Sequence, residues 1–407
     1  MISGLISAKV HSCFVPLIKN GDRVMGSSRR ILGTLGLLSC LVLSANVPAA
    51  GATAPPGPAA PATREMPRVP FTQRYQAVQR GGLVHASNSS IACRREEAPD
   101  AGPDEPDAEP DAGPCAEVKR GAAGVNSDFD MFYSEVDEDP DTYNSTRAEL
   151  RVPQGAKVSY ARLYWGGNLR VGEQKPPEDN GRVLVAEPGG AYKEVLADTV
   201  IGHRTDAGSD AYQASADVTP LVRKGGAGMW TVAQLNIAMG HSEVGAWGGW
   251  TLVVAYEDPQ EPVRRISLWD GFEGLAARAG EASGETVEIA GLDAAAGAAG
   301  KAGVVAYDGD RGTLGDSLTV TADSGRQVSL GDSENPFNDV MNSTIAEFGR
   351  ASFVRQPEHV NNLGYDADVF DLSPALSGGA HSLSFRFTGE SQGQFLGVLF
   401  VQTDARR

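Results

Sequence analysis

The 407-residue sequence has few lysines, histidines and cysteines, and each shortage excludes a class of protein. Only eight lysines contribute to the 35 basic residues, against 52 acidic ones, so the formal net charge is −17. A surface this acidic repels nucleic acid and anionic lipid, which excludes both as partners. The six histidines show neither H-x-H nor H-E-x-x-H spacing, which excludes the common zinc sites. No G-x-x-x-x-G-K stretch is present to bind phosphate groups.

No apolar run reaches the roughly 20 residues that a membrane-spanning helix needs. The longest, residues 31–47, is interrupted by glycine, serine and threonine and follows a cationic stretch after Met25, the predicted start. Small residues after it fit an A-x-A cleavage site, so residues 1–54 are predicted to be a leader with a signal peptide. "SSRRIL" fits a twin-arginine signal as well as the ordinary secretory one, and both export routes stay open. "LLSC" resembles a lipoprotein box, but the apolar run continues past Cys40, which favours a secreted protein.

Two of the four cysteines, Cys93 and Cys115, lie beyond the leader. An even pair in an oxidising compartment predicts a disulfide worth roughly 3 kcal/mol, and two free thiols are the alternative. Between them, residues 96–114 alternate acids and prolines and are predicted to form a disordered loop within a disulfide-closed segment, 83–123. Residues 55–82 are predicted to be a linker rich in proline and alanine.

Short runs of β-branched and aromatic residues dominate the chain from residue 124 onward. In "SLSFRF" the alternation places Leu383, Phe385 and Phe387 on one inward face, whereas "TLVVAY" and "GVLFVQ" are apolar on both faces, as in central strands. One short helix is predicted, in "DVTPLVRKGG", with Asp217 or Thr219 as its cap. We therefore predict an all-β fold, an antiparallel β-sandwich similar to a jelly roll, over residues 124–407. The predicted strands are 148–152, 156–165, 182–187, 229–239, 249–257, 264–269, 285–292, 303–308, 317–322, 381–389 and 395–403.

Residues 315–318 spell "GDSL", the motif that carries the nucleophile in one family of serine esterases. In that family the serine leads into a helix of an α/β fold, and its partner histidine comes from a D-x-x-H box. Here "SLTVTA" predicts a strand after the serine, and no histidine has the required spacing. A serine hydroxyl without a base is a poor nucleophile. We therefore interpret Ser317 as the first residue of a β-strand and predict no catalytic residues.

The same stretch is a candidate metal site. Asp308, Asp310 and Asp316 lie on the glycine-rich sequence "DGDRGTLGD", and carboxylate oxygens on such a loop suit Ca²⁺. Arg311 lies among them, so a plain turn with an Asp–Arg pair is the alternative. No other cofactor is predicted.

Two tryptophans are candidates for ligand binding. Trp247 and Trp250, in "EVGAWGGWTL", would stack on sugar rings if they were exposed and would belong to the core if they were buried. A single strand does not decide between these two interpretations.

Several motifs are informative as a set. They are "SDFDMFYSEVDEDPDTYNSTRAEL", "ARLYWGG", "GGWTLVVAYEDP", "DGFEGL", "VVAYDGDRGTLGDSL", "NPFNDVMNSTI" and "VNNLGYDADVFD". Together they resemble the N-terminal β-rich domain of secreted, cell-surface proteins of actinobacteria and related bacteria. The resemblance covers residues 83–404 and implies a β-rich fold near the cell surface, with no esterase role for "GDSL". In that family tandem immunoglobulin-like repeats and a wall anchor often follow; this chain ends after the first domain, so we do not expect covalent wall attachment.

The sequence as a whole predicts a secreted, non-catalytic β-sandwich protein that acts in adhesion or in association with the wall or matrix. The expected partner is a cell-wall glycan or a surface protein, with no nucleic acid and no membrane span in the mature chain. A carbohydrate-binding module is the alternative function, and a serine esterase that uses Ser317 is the third.

Overall fold

The computed structural model describes residues 69–94, 113–137, 139–205, 208–275, 284–351, 354–389 and 393–406. The predicted leader, most of the predicted linker and most of the acidic insert lie outside these residues. The described strands, in chain order, are β1 (Thr72–Ser89), β2 (Ile91–Cys93), β3 (Met131–Tyr133), β4 (Ser145–Leu150), β5 (Lys157–Asn168), β6 (Arg182–Ala186), β7 (Lys193–Leu196), β8 (Thr199–Arg204), β9 (Ala211–Asp217), β10 (Gly228–Ala233), β11 (Gly248–Glu257), β12 (Val263–Gly274), β13 (Glu285–Ala294), β14 (Gly300–Tyr307), β15 (Ser317–Ala322), β16 (Gln327–Leu330), β17 (Ala346–Glu347), β18 (Arg350–Ala351), β19 (Arg355–Gln356), β20 (Tyr365–Asp371), β21 (Ala380–Thr388) and β22 (Phe395–Asp404). The helices are α1 (Pro114–Lys119) and α2 (Thr219–Gly225), and short 3-10 helices cover Asn126–Asp128 and Pro177–Asp179.

The strands form three larger sheets and one two-stranded ladder. The longest sheet has eleven strands in the order β18-β17-β20-β14-β22-β12-β1-β11-β5-β9-β8. A five-stranded sheet has the order β19-β4-β10-β6-β7, a four-stranded sheet has the order β13-β21-β15-β16, and β2 pairs with β3. The pairings are antiparallel except for one parallel contact between β17 and β20. Across the ranges that the structure describes, no helix is long and apolar enough to cross a lipid bilayer.

The eleven-stranded sheet bends back so that its two halves face each other across a shared core. Thr251 of β11 lies 2.7 Å, oxygen to oxygen, from the Tyr365 hydroxyl of β20, and the rings of Trp247 and Tyr307 are 5.7 Å apart. The outer face of one half packs on the five-stranded sheet, and that of the other half packs on the four-stranded sheet. The predicted all-β sandwich is confirmed. It is larger than an eight-stranded jelly roll because one long sheet serves two outer layers.

Each predicted strand overlaps a described strand, but the bounds differ, and the strand predicted over 229–239 ends at Ala233 in β10. The apolar patterns of two strand types fall where they were expected. Leu383, Phe385 and Phe387 of β21 are completely buried against the outer face of the long sheet. The predicted helix is α2, but its N-cap is Val218 rather than Asp217 or Thr219. Asp217, one residue before the cap, accepts the main-chain N–H of Thr219 at 2.9 Å. Strands β11 and β22 lie inside the long sheet and are buried on both faces, as their continuous apolar runs predicted.

The largest difference from the sequence-based prediction is the first strand. Residues 69–82, predicted to belong to a linker, lead into and form the first part of β1, a central strand between β11 and β12. The polar side chains of this segment find partners in the fold. The amide of Gln79 donates to the Ser159 hydroxyl at 3.0 Å and to the main-chain oxygen of Tyr256 at 2.9 Å. The sandwich therefore begins at Thr72 rather than at residue 124.

The predicted disulfide between Cys93 and Cys115 is confirmed, and it joins two residues 22 positions apart. Cys93 ends β2 and Cys115 lies in α1, and both are buried. The helix in turn contacts the loop before β20, because the N–H of Val360 donates to the carbonyl of Lys119 at 2.8 Å. The bridge therefore attaches α1 to the β2–β3 ladder, and α1 attaches the loop of residues 357–364.

His359, in this loop, should make stability depend on pH. Burial lowers the pKa of its imidazole to about 3, and the positive charges of Lys119 and Arg355 add to the effect. An unfolded histidine has a pKa near 6.5. Between about pH 6.5 and pH 3, His359 is therefore protonated in the unfolded chain and neutral in the folded chain. We expect the free energy of unfolding to fall as the pH drops below about 6.5, by at most about 1.4 kcal/mol per pH unit from this residue.

Urea denaturation at neutral and mildly acidic pH measures this slope. In the His359→Gln variant, the free energy of unfolding should fall less steeply as the pH is lowered than it does in wild type. In His241→Gln, which changes an exposed histidine, the dependence on pH should match that of wild type. Equal slopes for wild type and His359→Gln would contradict the prediction.

Candidate functional site

Ser317, the serine of the "GDSL" stretch, is the first residue of β15. Its hydroxyl oxygen is 2.7 Å from the hydroxyl oxygen of Thr388, which lies opposite it on β21. His381, on the same strand, is seven residues from Thr388, or roughly 23 Å at ~3.3 Å per residue. Within the described side chains, no imidazole is in hydrogen-bond reach of Ser317 to act as a base. The interpretation of Ser317 as the start of a strand is confirmed.

Trp247 and Trp250 are both completely buried, so neither ring is available to a ligand. Trp247 packs against Tyr307 and Phe395 in the core between the two halves of the long sheet. Trp250 lies in the core under the five-stranded sheet, and its indole N–H donates to the Thr146 hydroxyl at 2.8 Å. The hypothesis that these tryptophans stack on sugar rings is wrong, because both faces of this half of the sheet are covered.

The predicted calcium ligands are Asp308, Asp310 and Asp316. Asp308 and Asp316 have different hydrogen-bond partners, and Oδ1 of Asp310 is buried without one. The carboxylate of Asp308 accepts a hydrogen bond from the side-chain amide of Asn126 at 2.8 Å. That of Asp316 accepts from the main-chain N–H of Val340 and, at 3.2 Å, from that of Met341. In the described ranges, no three acidic, histidine or cysteine side chains are placed to hold one metal ion. The three predicted ligands therefore do not form a site by themselves.

Two further aspartates, Asp366 and Asp368, lie beside this loop and were missed from the sequence. They alternate along β20 and point to the same side as Phe370, toward the core under the four-stranded sheet. The signal was visible in "YDADVFD", where two acids occupy inward positions of a buried strand. We use the name acidic cluster for six residues of these loops and β20: Asp308, Asp310, Asp316, Asp339, Asp366 and Asp368.

Burial raises the pKa of carboxyl groups throughout the acidic cluster. The pKa of Asp316 is raised to about 6 and that of Asp310 to about 7, chiefly by burial and further by neighbouring carboxylates. Burial also raises the pKa values of Asp308, Asp366 and Asp368 well above the ordinary range, and the charge of a nearby aspartate adds to each shift. These directions mean that burial and neighbouring carboxylates disfavour the ionised form, so these acids hold their protons more strongly than a solvent-exposed aspartate does.

Arg311 is a cation on the loop that carries the cluster, and it lies on the outer side. Its guanidinium is 3.5 Å from the carboxylate of Glu334, and its charge opposes the burial that raises the pKa of Asp339. Asp339 also accepts a hydrogen bond from the N–H of Gly312 at 2.9 Å. The interpretation of an Asp–Arg turn therefore describes the outer part of the cluster. Deeper in the fold, the charge of Asp368 acts on the buried guanidinium of Arg355 and partly opposes the burial that lowers its pKa.

Exposed apolar side chains surround the same loops. Leu314, Phe337 and Phe348 are 63%, 60% and 51% exposed. The main chains next to Leu314 and Phe337 are joined, because the N–H of Gly315 donates to the carbonyl of Asn338 at 2.8 Å. Phe348, at the turn between β17 and β18, lies next to a loop residue, Ser333, whose hydroxyl donates to the Gly349 carbonyl at 2.8 Å. We call Leu314, Phe337 and Phe348 the apolar loop face.

A surface groove of about 650 Å³ lies elsewhere, between residues 152–159 and the end of α2. Its ionisable side chains are Lys157, Arg223 and Glu257. The guanidinium of Arg223 donates to the main-chain carbonyls of Val158 and Ser159 at 2.8 and 2.9 Å, so it has a structural partner. The groove therefore offers no arrangement that suggests a reaction.

Comparisons with known proteins give no family. No family model matches the chain, and no curated protein matches it. Among solved structures, a chain from "Life in the extremes: atomic structure of Sulfolobus Turreted Icosahedral Virus" is similar over 63% of this chain and 85% of that chain, with 10% identity and a TM-score of 0.21. A TM-score this low carries no argument about fold or function.

Proposed function

We propose that the protein is a secreted, non-catalytic β-sandwich that binds a protein of the cell envelope or matrix through the apolar loop face. The observation that carries this proposal is the exposure of Phe337 and Phe348, two phenylalanines on neighbouring loops of a protein whose other aromatic rings lie mostly inside. Exposed apolar side chains that lie together mark interaction sites on soluble proteins. The disulfide supports an oxidising compartment outside the cytoplasm.

The charge around the apolar loop face indicates the chemistry of the partner. Asp332 and Glu334 lie on the loop that leads to Phe337, and Ser333 of the same loop donates to the carbonyl of Gly349, next to Phe348. The whole chain has a net charge of −17. Anionic wall polymers and anionic lipids are repelled by such a surface. A protein that offers an apolar pocket with basic residues at its rim would be complementary. Aromatic side chains that fill such pockets often carry most of the binding energy.

The surroundings of Ser317 support a binding role over an ester-hydrolase role. Its hydroxyl is bonded to that of Thr388, and no base lies within reach among the described side chains. Trp247 and Trp250 give no support to the carbohydrate-binding alternative, because both are buried. Binding of a glycan, if it occurs, should therefore be tested at the apolar loop face rather than at these two tryptophans.

Binding of the purified protein to envelope fragments of the producing cells tests the proposal. We expect the double variant Phe337→Ser/Phe348→Ser to bind at least about tenfold more weakly than wild type. The matched control is Val78→Ser/Leu196→Ser, which removes two exposed apolar side chains from other strands and should bind as wild type does. Protease treatment of the fragments should abolish binding, whereas digestion of the wall glycan should leave it intact.

Three results would overturn the proposal. Binding that survives protease treatment but not glycan digestion would identify a carbohydrate-binding module. Retention of the protein in the cytoplasm of the producing cells would contradict secretion. Ester hydrolysis that disappears in the Ser317→Ala variant would identify a catalytic serine.

A further inference from the structure

A cavity of about 200 Å³ lies beside the disulfide, and none of its lining residues belongs to the acidic cluster or to the apolar loop face. Its walls come from the end of β2, the end of α1, β3 with the residues that follow it, and the loop of residues 357–364. Three lining residues, Arg94, Lys119 and His359, have basic side chains, and one, Glu135, is acidic. In a chain whose net charge is −17, the cavity is a local excess of basic groups.

The disulfide explains why two of these cations lie together. Arg94 directly follows Cys93, and Lys119 lies four residues, or about one helical turn, after Cys115 in α1. The bridge brings the Cα atoms of the two cysteines to 5.9 Å and so joins the end of β2 to α1. Both cations therefore reach the wall of one cavity, although they are 25 positions apart in the sequence.

The guanidinium of Arg94 is held in place without an acidic partner. It lies over the ring of Phe132, another lining residue, with its central carbon 4.3 Å from the ring centroid. Within the described residues, the Arg94 side chain forms no ion pair and no hydrogen bond. Stacking on an aromatic face leaves the N–H groups at the edge of the guanidinium free to donate. This planar edge matches the oxygens of a phosphate or carboxylate group.

The pKa of His359 reflects the positive potential of the cavity. Burial is the largest cause of its low pKa, and the charges of Lys119 and then Arg355 lower it further. The ammonium of Lys119 is therefore close to an imidazole of the cavity wall. The acidic lining residue, Glu135, accepts a hydrogen bond from the Thr142 hydroxyl at 3.3 Å, so one of its carboxylate oxygens already has a partner.

We propose that this cavity binds the phosphate group of a small molecule, with Arg94 and Lys119 as its cationic ligands. Two fixed cations suit a group that carries nearly two negative charges at neutral pH better than they suit a singly charged carboxylate. The volume of about 200 Å³ admits a small molecule rather than a polymer.

The acidic net charge of the chain is compatible with such a site. A long polyanion would meet the negative surface over its whole length and would be repelled. A small anion inside the cavity is affected mainly by charges within about 8 Å, the screening length at physiological salt. The cavity is separate from the apolar loop face, so this inference does not depend on the proposed function.

Thermal melting and calorimetric titration of the purified protein at neutral pH test the site. Sodium phosphate is the probe, and NaCl keeps the ionic strength constant. We expect phosphate to raise the melting temperature and chloride at the same ionic strength to leave it unchanged. Arg94→Gln should weaken phosphate binding by about tenfold or more, because it removes a charged hydrogen-bond donor. The matched control, Arg326→Gln, makes the same change of charge in the turn between β15 and β16 and should bind phosphate as wild type does.

A second variant and a second ligand complete the test. Lys119→Gln should weaken phosphate binding to a similar extent. Without phosphate, Arg94→Gln should melt close to wild type, because the arginine is exposed, so a lost phosphate effect is not a lost fold. The proposal is overturned if phosphate and chloride stabilise wild type equally, or if both variants bind phosphate with wild-type affinity. Acetate that binds as tightly as phosphate would overturn the assignment to a phosphate group and would identify a carboxylate site.

Discussion

Replacing Trp250 with alanine should lower the free energy of unfolding by about 3–5 kcal/mol. Trp250 lies on β11, between β1 and β5, and is completely buried in the core under the five-stranded sheet. The substitution removes the buried indole and with it the free energy gained by burying its apolar surface. It also leaves a cavity, because a central strand held by two neighbours cannot move far enough to fill it. It also leaves the Thr146 hydroxyl without the indole donor, which now lies at 2.8 Å.

Equilibrium denaturation with guanidinium chloride measures this loss. The matched control is Phe337→Ala, which truncates a ring that is 60% exposed and should change the free energy of unfolding by no more than about 0.5 kcal/mol. A Trp250→Ala protein as stable as wild type would mean that this core is not packed as described. The comparison also distinguishes core packing from stacking on sugar rings, the two roles that the sequence left open for Trp250. Truncating an exposed tryptophan would change the free energy of unfolding as little as truncating Phe337.

Removing the disulfide should be the second large effect, a loss of about 2–5 kcal/mol. Cys93 and Cys115 are 22 positions apart, and closing a loop of that length restricts the unfolded chain by roughly 3 kcal/mol. In the folded protein the bridge holds α1, and the carbonyl of Lys119 in α1 accepts the N–H of Val360. In the double variant Cys93→Ala/Cys115→Ala we therefore expect α1 and the loop of residues 357–364 to be held less tightly, in addition to the loss in the free energy of unfolding.

Denaturation of wild type with and without a reductant provides the comparison for the disulfide. Reduced wild type should match the double variant, because both lack the same cross-link, and the reductant should leave the double variant unchanged. If reduced and oxidised wild type unfolded at the same denaturant concentration, the bridge would contribute nothing, and the loop-closure argument would fail.

Strands whose buried and polar positions alternate, or whose apolar run is continuous, were predictable from the sequence. Phe385 and Phe387 alternate with polar residues, so their burial on one face of β21 followed from the geometry of a strand. β1 was not predictable, because its first half, residues 72–80, carries three glutamines and two arginines and no continuous apolar run, and therefore resembles a linker. Its Gln79 is accommodated only because Ser159 and the Tyr256 carbonyl, far away in sequence, supply partners.

The acidic cluster was only partly predictable for a related reason. "DGDRGTLGD" indicated acids on a glycine-rich loop, and Gly309 does leave the space in which an oxygen of Asp366 lies. The acid that faces this space, Asp366, is supplied by β20, some 50 residues later in the sequence, where no strand was predicted. A single sequence does not reveal which loop a strand will approach, because the sheet pairing that brings them together is not local.

The position of β12 between β1 and β22 determines how the fold would respond to tension. Thr72, at the start of β1, pairs with Asp270, whereas Asp404, at the end of β22, pairs with Arg264 near the opposite end of β12. A pull on these two ends would draw β1 and β22 past β12 in opposite directions. All the hydrogen bonds of both ladders would then share the load at once instead of opening one after another. A protein anchored at one end and loaded at the other would resist extension along this direction.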